Sequence, residues 1–582
     1  MRSLVDRRVR FRCCSAIMLL FSAAMWPRTA GSHQSEKNLP SSASLASISG
    51  HVYNADTGAP VGGQIISIGA NTPGMAFQPA IVTVSASDGE YKFSDLDPGL
   101  YQVLIGGSGF FQSERSALIS VSSGQSVSDL DLRVRPAGVI SGVVADKEAH
   151  PIQGAFITIF HPDSTPPEPF DYMGIQTDDR GFFRVPGLPA GKWYVAASLD
   201  MRLSAISPDL TFYPSGDSFA TASLIEVNAG AETGNIDITL REPAATAASQ
   251  QGGSNGRAAH TVSGHVYRSD TGAPLADAIV FLHPIGAQQP GPGETKFVQF
   301  ARSGPDGAYK FASVVEGTYT VEAQRAGYLN LVSFGSSRFV HVESTPVDGV
   351  DLKLHPAALI VGTVRDANGN PLWPFSVTIF HNVNGRFTEA AGALTLDNGS
   401  FRAKVPAPGG YYIVASEARG GLLGQLGYVP QYYPGADSLD KAQILQVRPG
   451  AKMPEINFTL KRPPTFTVTV TIVDPNAKSG EYDFLSVQPD RDPALKSLAN
   501  LSQSLKQTLF AVPGTAVRFR TVAAGNYTVD VFRAATTYSP TGRILSAQSV
   551  GTRMASTSVK VIDADISIDL PVAASTTNTT SR

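Results

Sequence analysis

The chain reads as an all-β protein, a tandem array of Greek-key β-sandwiches, and three observations carry that reading. The first is a repeated opening strand. Ile48-Ser49-Gly50-His51-Val52-Tyr53 returns as Val262-Ser263-Gly264-His265-Val266-Tyr267, with shorter copies at Ile140-Ser141-Gly142-Val143-Val144 and Ile360-Val361-Gly362-Thr363-Val364. A period near 90–120 residues is too long for a solenoid and suits whole sandwich domains. The second is composition. Only 16% of residues are charged, against about 25% in ordinary soluble domains, and 55 Gly and 40 Pro supply many tight turns. The third is cysteine usage: the 2 cysteines, Cys13 and Cys14, lie in the N-terminal leader, so no disulfide holds a module and each needs its own core.

In chain order, residues 1–31 read as an export signal. Arg2, Arg7, Arg8, Arg10 and Arg12 precede a mostly apolar run from Cys13 to Trp26, shorter than the roughly 20 residues of a membrane span. Residues 32–46 are a polar leader. Sandwiches are expected over 47–135, 136–243, 261–356 and 357–462, with a divergent fifth over 463–572 and a disordered tail over 573–582. Between the second and third lies 244–260, AATAASQQGGSNGRAAH, whose composition predicts a flexible linker.

The repeat has a second order. Thr158-Ile159-Phe160-His161 in the second module matches Thr378-Ile379-Phe380-His381 in the fourth, and Phe212-Tyr213-Pro214 matches Tyr432-Tyr433-Pro434. Modules one and three (type A) differ from two and four (type B), as if an A–B pair had been duplicated.

Within a module the strands follow from turn chemistry. Asp88-Gly89 before Tyr91-Lys92-Phe93 and Asp306-Gly307 before Tyr309-Lys310-Phe311 are hairpin signals, and alternation puts Lys92 and Lys310 on the solvent side. Pro98-Gly99-Leu100-Tyr101 and Glu316-Gly317-Thr318-Tyr319 start the next strand, and Leu130-Asp131-Leu132 or Val350-Asp351-Leu352 closes the module. In the fifth module, Asp492-Pro493 followed by Leu495, Leu498, Leu505 and Leu509 predicts one short helix over 493–508, while Ala524-Gly525-Asn526-Tyr527 keeps the strand-opening element.

These residues resemble the carboxypeptidase regulatory-like domain family, a transthyretin-like (prealbumin-like) β-sandwich related to Cna B-type modules. The resemblance rests on I-S-G-x-V, D-G-x-Y-x-F and P-G-x-Y-x-V. It covers 47–135 and 261–356 well, the type B modules moderately and the fifth weakly. It implies the sandwich fold and a carbohydrate-binding-like platform. It implies no Lys–Asn isopeptide bond in modules one to four, because His51, Val143, His265 and Thr363 stand where a first-strand lysine would follow the glycine.

Motifs for catalysis do not converge. The His33-x-x-Glu36 pair lies in the leader, and Gly252-Gly253-Ser254-Asn255-Gly256 lies in the linker without the strand–turn–helix that a nucleophile elbow needs. His161 and His381 sit in different modules and read as packed or turn-facing side chains, and Asp88, Asp95 and Asp97 read as turn residues without calcium-loop spacing. No catalytic residue, metal site or cofactor is therefore expected. Without the six Arg and one Asp of residues 1–31 the net charge falls from −3 to −8, and that acidity argues against nucleic acid as a partner; no span of the mature chain is expected in a membrane.

The aromatic pairs Phe212-Tyr213 and Tyr432-Tyr433 are the candidate ligand-binding residues, since tyrosine rings stack on sugar faces and anchor protein interfaces alike. The sequence thus points to an exported, non-enzymatic, multi-domain envelope or surface protein that binds carbohydrate or adheres, located in the periplasm, at the surface or in the medium. Its expected partner is a glycan or an envelope protein. The alternative is a protein–protein scaffold, or an accessory subunit of a separately encoded peptidase or secretion system.

Overall fold

The computed structural model describes residues 45–572 apart from 71–80, 107–108, 113–117, 163–168, 171–174, 200–209, 242–258, 286–298, 330–336, 419–425, 450–452, 476, 478–482, 491–497, 499–505, 512 and 539–543. The export signal, nearly all of the polar leader and most of the linker lie outside the described residues. Ala259 and His260, at the linker's end, already belong to the strand Ala259–Arg268.

The described residues are all-β, and the helical element among them is one 3-10 turn at Leu439–Lys441. The helix expected over 493–508 falls mostly outside the described residues, and its end is corrected. Gln507 and Thr508 open the strand Gln507–Ala511, which pairs antiparallel with Asp483–Pro489. The β-branched and aromatic residues there find a sheet partner, and that tertiary pairing overrides the Asp-Pro start signal upstream.

Each sandwich follows one plan. In the first, Ala46–Asn54 pairs antiparallel with Glu90–Leu96 and parallel with Leu132–Pro136. The facing sheet orders Ile81–Val84, Ile65–Ala70, Gly99–Gly106 and Ile119–Val121. The parallel closing strand recurs at Gly138–Ala145 with Ile238–Thr239, Ala259–Arg268 with Leu352–Asp366, Leu352–Asp366 with Ile456–Leu460, and Thr465–Val473 with Ile566–Pro571. Leu352–Asp366 is a single strand that closes the third sandwich and opens the fourth.

The repeated motifs have local physical causes. Gly50 sits where the closing segment crosses the first strand, and a Cβ there would lie 2.2 Å from the Leu130 carbonyl oxygen; at Gly142, Gly264 and Gly362 the distances are 2.0, 2.1 and 1.8 Å. Only a residue without a side chain admits the crossing. The next amide is then held by the closing segment: His51, Val143, His265 and Thr363 donate their N–H to Asp131, Asp237, Asp351 and Asn457 at 2.9–3.1 Å. In the fifth module Thr467 donates its N–H to Asp565 at 2.8 Å, but it follows Phe466 and not a crossing glycine.

The aromatic of P-G-x-Y closes its own hairpin. Tyr101 donates to the Asp97 carbonyl at 2.7 Å, Tyr319 to Val315 at 2.9 Å, Tyr411 to Pro406 at 2.6 Å and Tyr527 to Ala523 at 2.8 Å. In the second module Trp193 takes the place, with its indole N–H 3.0 Å from the Pro189 carbonyl. The tyrosine of D-G-x-Y spans the sheet, as Tyr91 donates to Leu130 and Tyr309 to Val350, both at 2.5 Å. Lys92 and Lys310 are exposed between buried rings, as alternation predicts.

A further clasp is absent from the motif reading. A hydroxyl residue four places before the turn glycine is buried in modules one to four: Ser85, Thr177, Ser303 and Thr395. Each donates to a carbonyl in the segment after the first strand and accepts an N–H from the same segment, as with Ser85 to Val61 at 2.9 Å and Gln64 N–H to Ser85 at 2.9 Å.

Candidate functional site

The two aromatic loops have nearly the same backbone. Phe212 pairs with Ala196 and Tyr432 with Val414 on the same strand of their sandwiches. Tyr213 donates its N–H to Val195 and Tyr433 to Ile413, both at 2.9 Å, and a cis peptide bond to proline follows each tyrosine. Asp217 then accepts from Thr221 and Ser218, both at 3.1 Å, and Asp437 from Lys441 at 2.9 Å and Ser438 at 3.2 Å. Those bonds, Lys441 first, hold the Asp437 carboxyl below its ordinary range.

The first ring of each pair is core. Phe212 is 3% exposed and packs on Phe160 and Phe219 with ring centroids 5.8 and 4.6 Å away; Tyr432 is 6% exposed in a cluster with Phe380, Phe387 and Leu498. Neither ring face is open to a ligand, because the strand's alternation turns it inward. Tyr213 and Tyr433 are half-buried against the second and fourth cores. His161 packs edge-on to Trp193 at 4.9 Å, and His381 stacks on Tyr411 at 5.6 Å.

The fourth-module loop borders a cleft of about 580 Å³ against the fifth module. Its wall carries the carboxylates of Asp437, Asp440 and Asp490, the exposed amide of Asn526, and Tyr428 and Tyr527. At the base lies Glu417, whose oxygens accept the Leu426 and Tyr428 N–H groups at 2.9 and 2.6 Å. Burial raises its carboxyl to about 7, against those two bonds. The volume falls within the ~300–1,000 Å³ typical of ligand clefts.

The fifth module reaches this position through the first. Arg518 pairs with Asp97 at 2.5 Å, and Arg520 donates to the Asp95 carbonyl. Asp95 adopts φ 58, in the left-handed region that presents this carbonyl. Two of the aspartates read from sequence as simple turn residues therefore also hold the fifth module. The matching positions of the third module are Ser313 and Val315, which lack the carboxylates.

Asp146, Glu148 and His150 bring three metal-capable atoms within 4.8 Å, but Arg302 occupies the Asp146 carboxylate as its ion-pair partner. His33, Glu36 and the Gly252–Gly256 stretch lie outside the described residues. Among the described residues no helix is long and apolar enough to cross a membrane.

Three solved structures show how the chain compares. The Bacillus anthracis TIE protein is 13% identical, with 73% of this chain and 76% of that one covered and a TM-score of 0.15. A streptococcal ancillary pilin is 12% identical over 54% of this chain and 99% of its own, with a TM-score of 0.16. A minor pilin of Streptococcus agalactiae is 12% identical over 34% and 97%, at 0.17. Scores this low bear on nothing further. No curated protein sequence matches the chain. The family model for the carboxypeptidase regulatory-like domain matches residues 47–135, the stretch whose glycine crossing and two tyrosine clasps are described above. The opening sandwich, residues 47–135, is thus the part of the chain that is similar to a carboxypeptidase regulatory-like domain.

Proposed function

We propose that this is an extracytoplasmic, non-enzymatic surface or adhesion protein that binds carbohydrate in the cleft between its fourth and fifth modules. The observation that carries the reading is the composition of that cleft. Asp437, Asp440 and Asp490 offer acceptors for sugar hydroxyls, Asn526 offers both a donor and an acceptor, and Tyr428 and Tyr527 supply aromatic carbon. The basic and apolar N-terminal stretch supports export, and the regulatory-like module supports a binding platform rather than a catalyst.

The test is a glycan array followed by calorimetry on the mature chain. Asp440→Ala with Asn526→Ala is expected to weaken binding at least tenfold with an unchanged melting temperature, because both side chains are exposed. An array without a retained glycan, beside a pull-down from envelope extract that recovers a protein, would replace this reading by the scaffold alternative.

A further inference from the structure

The two type B modules touch through a reciprocal pair of ion pairs. Arg184 of the second module donates from Nε to Asp397 of the fourth at 2.7 Å and from Nη2 at 3.3 Å. Arg402 of the fourth donates likewise to Asp179 of the second at 3.1 and 3.3 Å. In both modules the aspartate stands five residues before the arginine and follows the same register: Arg184 faces Ser141 and Arg402 faces Val361, each one residue before its module's crossing glycine. All four side chains are largely buried.

The apolar contacts obey the same exchange. Ile279 and Phe281 of the third module join the core cluster of the second, with Phe300 packed beside them. Val82 of the first module joins the core cluster of the fourth, with Ile65 and Val84 packed beside it. Ile65 and Ile279 each stand 15 residues after their module's crossing glycine, and Val82 and Phe300 each stand seven before their turn glycine. One operation that swaps module one with three and two with four therefore maps both ion pairs and the Ile65/Ile279 and Val82/Phe300 contacts onto their partners, while Phe281 and Val84 have Ser67 and Arg302 as counterparts. That is the signature of an isologous, two-fold interface, in which residue i meets j and j meets i.

We infer that the A–B pair is a self-recognising docking unit whose partner is another A–B pair, here supplied by the other half of the same chain. The chain is a single-chain pseudo-dimer, and its halves hold each other by non-covalent contact without help from the linker. The departures from symmetry fit this reading. Arg302 of the third module pairs with Asp146, while its counterpart Val84 packs on the fourth core, so the two ends of one interface have diverged around a shared centre.

The experiment uses the full mature chain with a sequence-specific protease site placed within 244–256 and an affinity tag at the C-terminus. After cleavage the N-terminal half should stay on the resin with the tagged half. Asp397→Asn leaves Arg184 the carboxylate of Glu232 in its own module, and Asp179→Asn leaves Arg402 that of Asp178 across the interface, so neither strands a buried charge. Each single change should speed release of the N-terminal half to a similar degree, within threefold, and the double change should speed it at least tenfold. Asp179→Glu with Asp397→Glu should retain the half far better than the double Asn variant. Circular dichroism of each cleaved sample reports folding separately. Prompt release of the N-terminal half from the unmutated cleaved chain overturns the inference. So does a double Asn variant that is folded and retained as strongly as the parent.

Discussion

Thr177 donates its buried hydroxyl to the Ile152 carbonyl at 2.6 Å while accepting the Ala155 N–H at 2.9 Å. One side chain thereby satisfies two backbone groups in a segment that joins the two sheets. Thr177→Val keeps the shape and removes both bonds, leaving a buried carbonyl and a buried N–H unpaired. The expected cost is about 2–3 kcal/mol. Thr177→Ser, which installs the residue found at Ser85 and Ser303, should cost less than about 1.5 kcal/mol. Amide hydrogen exchange at Ala155 reads the difference locally, and equal protection in the two variants would contradict the clasp.

The crossing glycines differ from the turn glycines in what a methyl group meets. Gly142→Ala drives a Cβ to 2.0 Å from the Ile236 carbonyl oxygen, and backbone cannot step aside as a side chain can. On the order of 4 kcal/mol or more is expected, enough to unfold the second module or detach its closing strand. Gly154→Ala, in the same module, meets nothing within 4 Å and bears only the strain of φ +76, about 1 kcal/mol. Denaturant titration followed by tryptophan emission from Trp193 separates the two.

The buried members of the aromatic pairs should behave as core. Phe212→Ala and Tyr432→Ala are each expected to cost roughly 3–5 kcal/mol. Tyr213→Ala and Tyr433→Ala, at half-buried sites, should cost less. Calorimetric scans of the four variants check this ordering. A Phe212→Ala chain as stable as the parent would show that the ring is not the support its packing on Phe160 and Phe219 implies.

Glu417 gives a pH dependence of defined sign. Its folded carboxyl lies near 7, above the ordinary 4.5, so the folded state binds a proton more tightly than the unfolded one. Its contribution to stability is full below about pH 4.5, falls as pH rises to about 7, and is constant above that. The span amounts to roughly 3 kcal/mol. Glu417→Gln removes the titration, so the parent's stability relative to the variant should decline between pH 4.5 and 7. A difference that stays flat, or grows, across that window would show that the group does not titrate there.

Much of the fold was legible because it is local and repeated. Turn chemistry at Asp88-Gly89 and Pro98-Gly99, alternation around Tyr91 and Phe93, and four copies of one opening strand are properties of short segments, and they point to β-sandwiches without any knowledge of what lies across the core. The end of the predicted helix failed at Gln507 and Thr508 because pairing with the strand Asp483–Pro489 is a long-range event that a capping signal cannot weigh.

What the sequence by itself determined was the all-β class, the type A and type B kinship, and the exposed placement of Lys92 and Lys310. What only the tertiary structure decided was contact between modules. Asp179 and Arg184 look like an ordinary hairpin aspartate and an outward strand arginine until the fourth module is brought against them. Asp95 and Asp97 look like turn residues until Arg518 and Arg520 arrive from the other end of the chain. Phe212 and Tyr432 look like surface rings in a polar loop until the pairing with Ala196 and Val414 turns them inward. The physical reason is common to all three. Secondary structure follows from backbone geometry and side-chain periodicity within a few residues, whereas burial and charge pairing depend on which surfaces meet, and those surfaces here lie 213 residues or more apart in the ion pairs that join modules two and four.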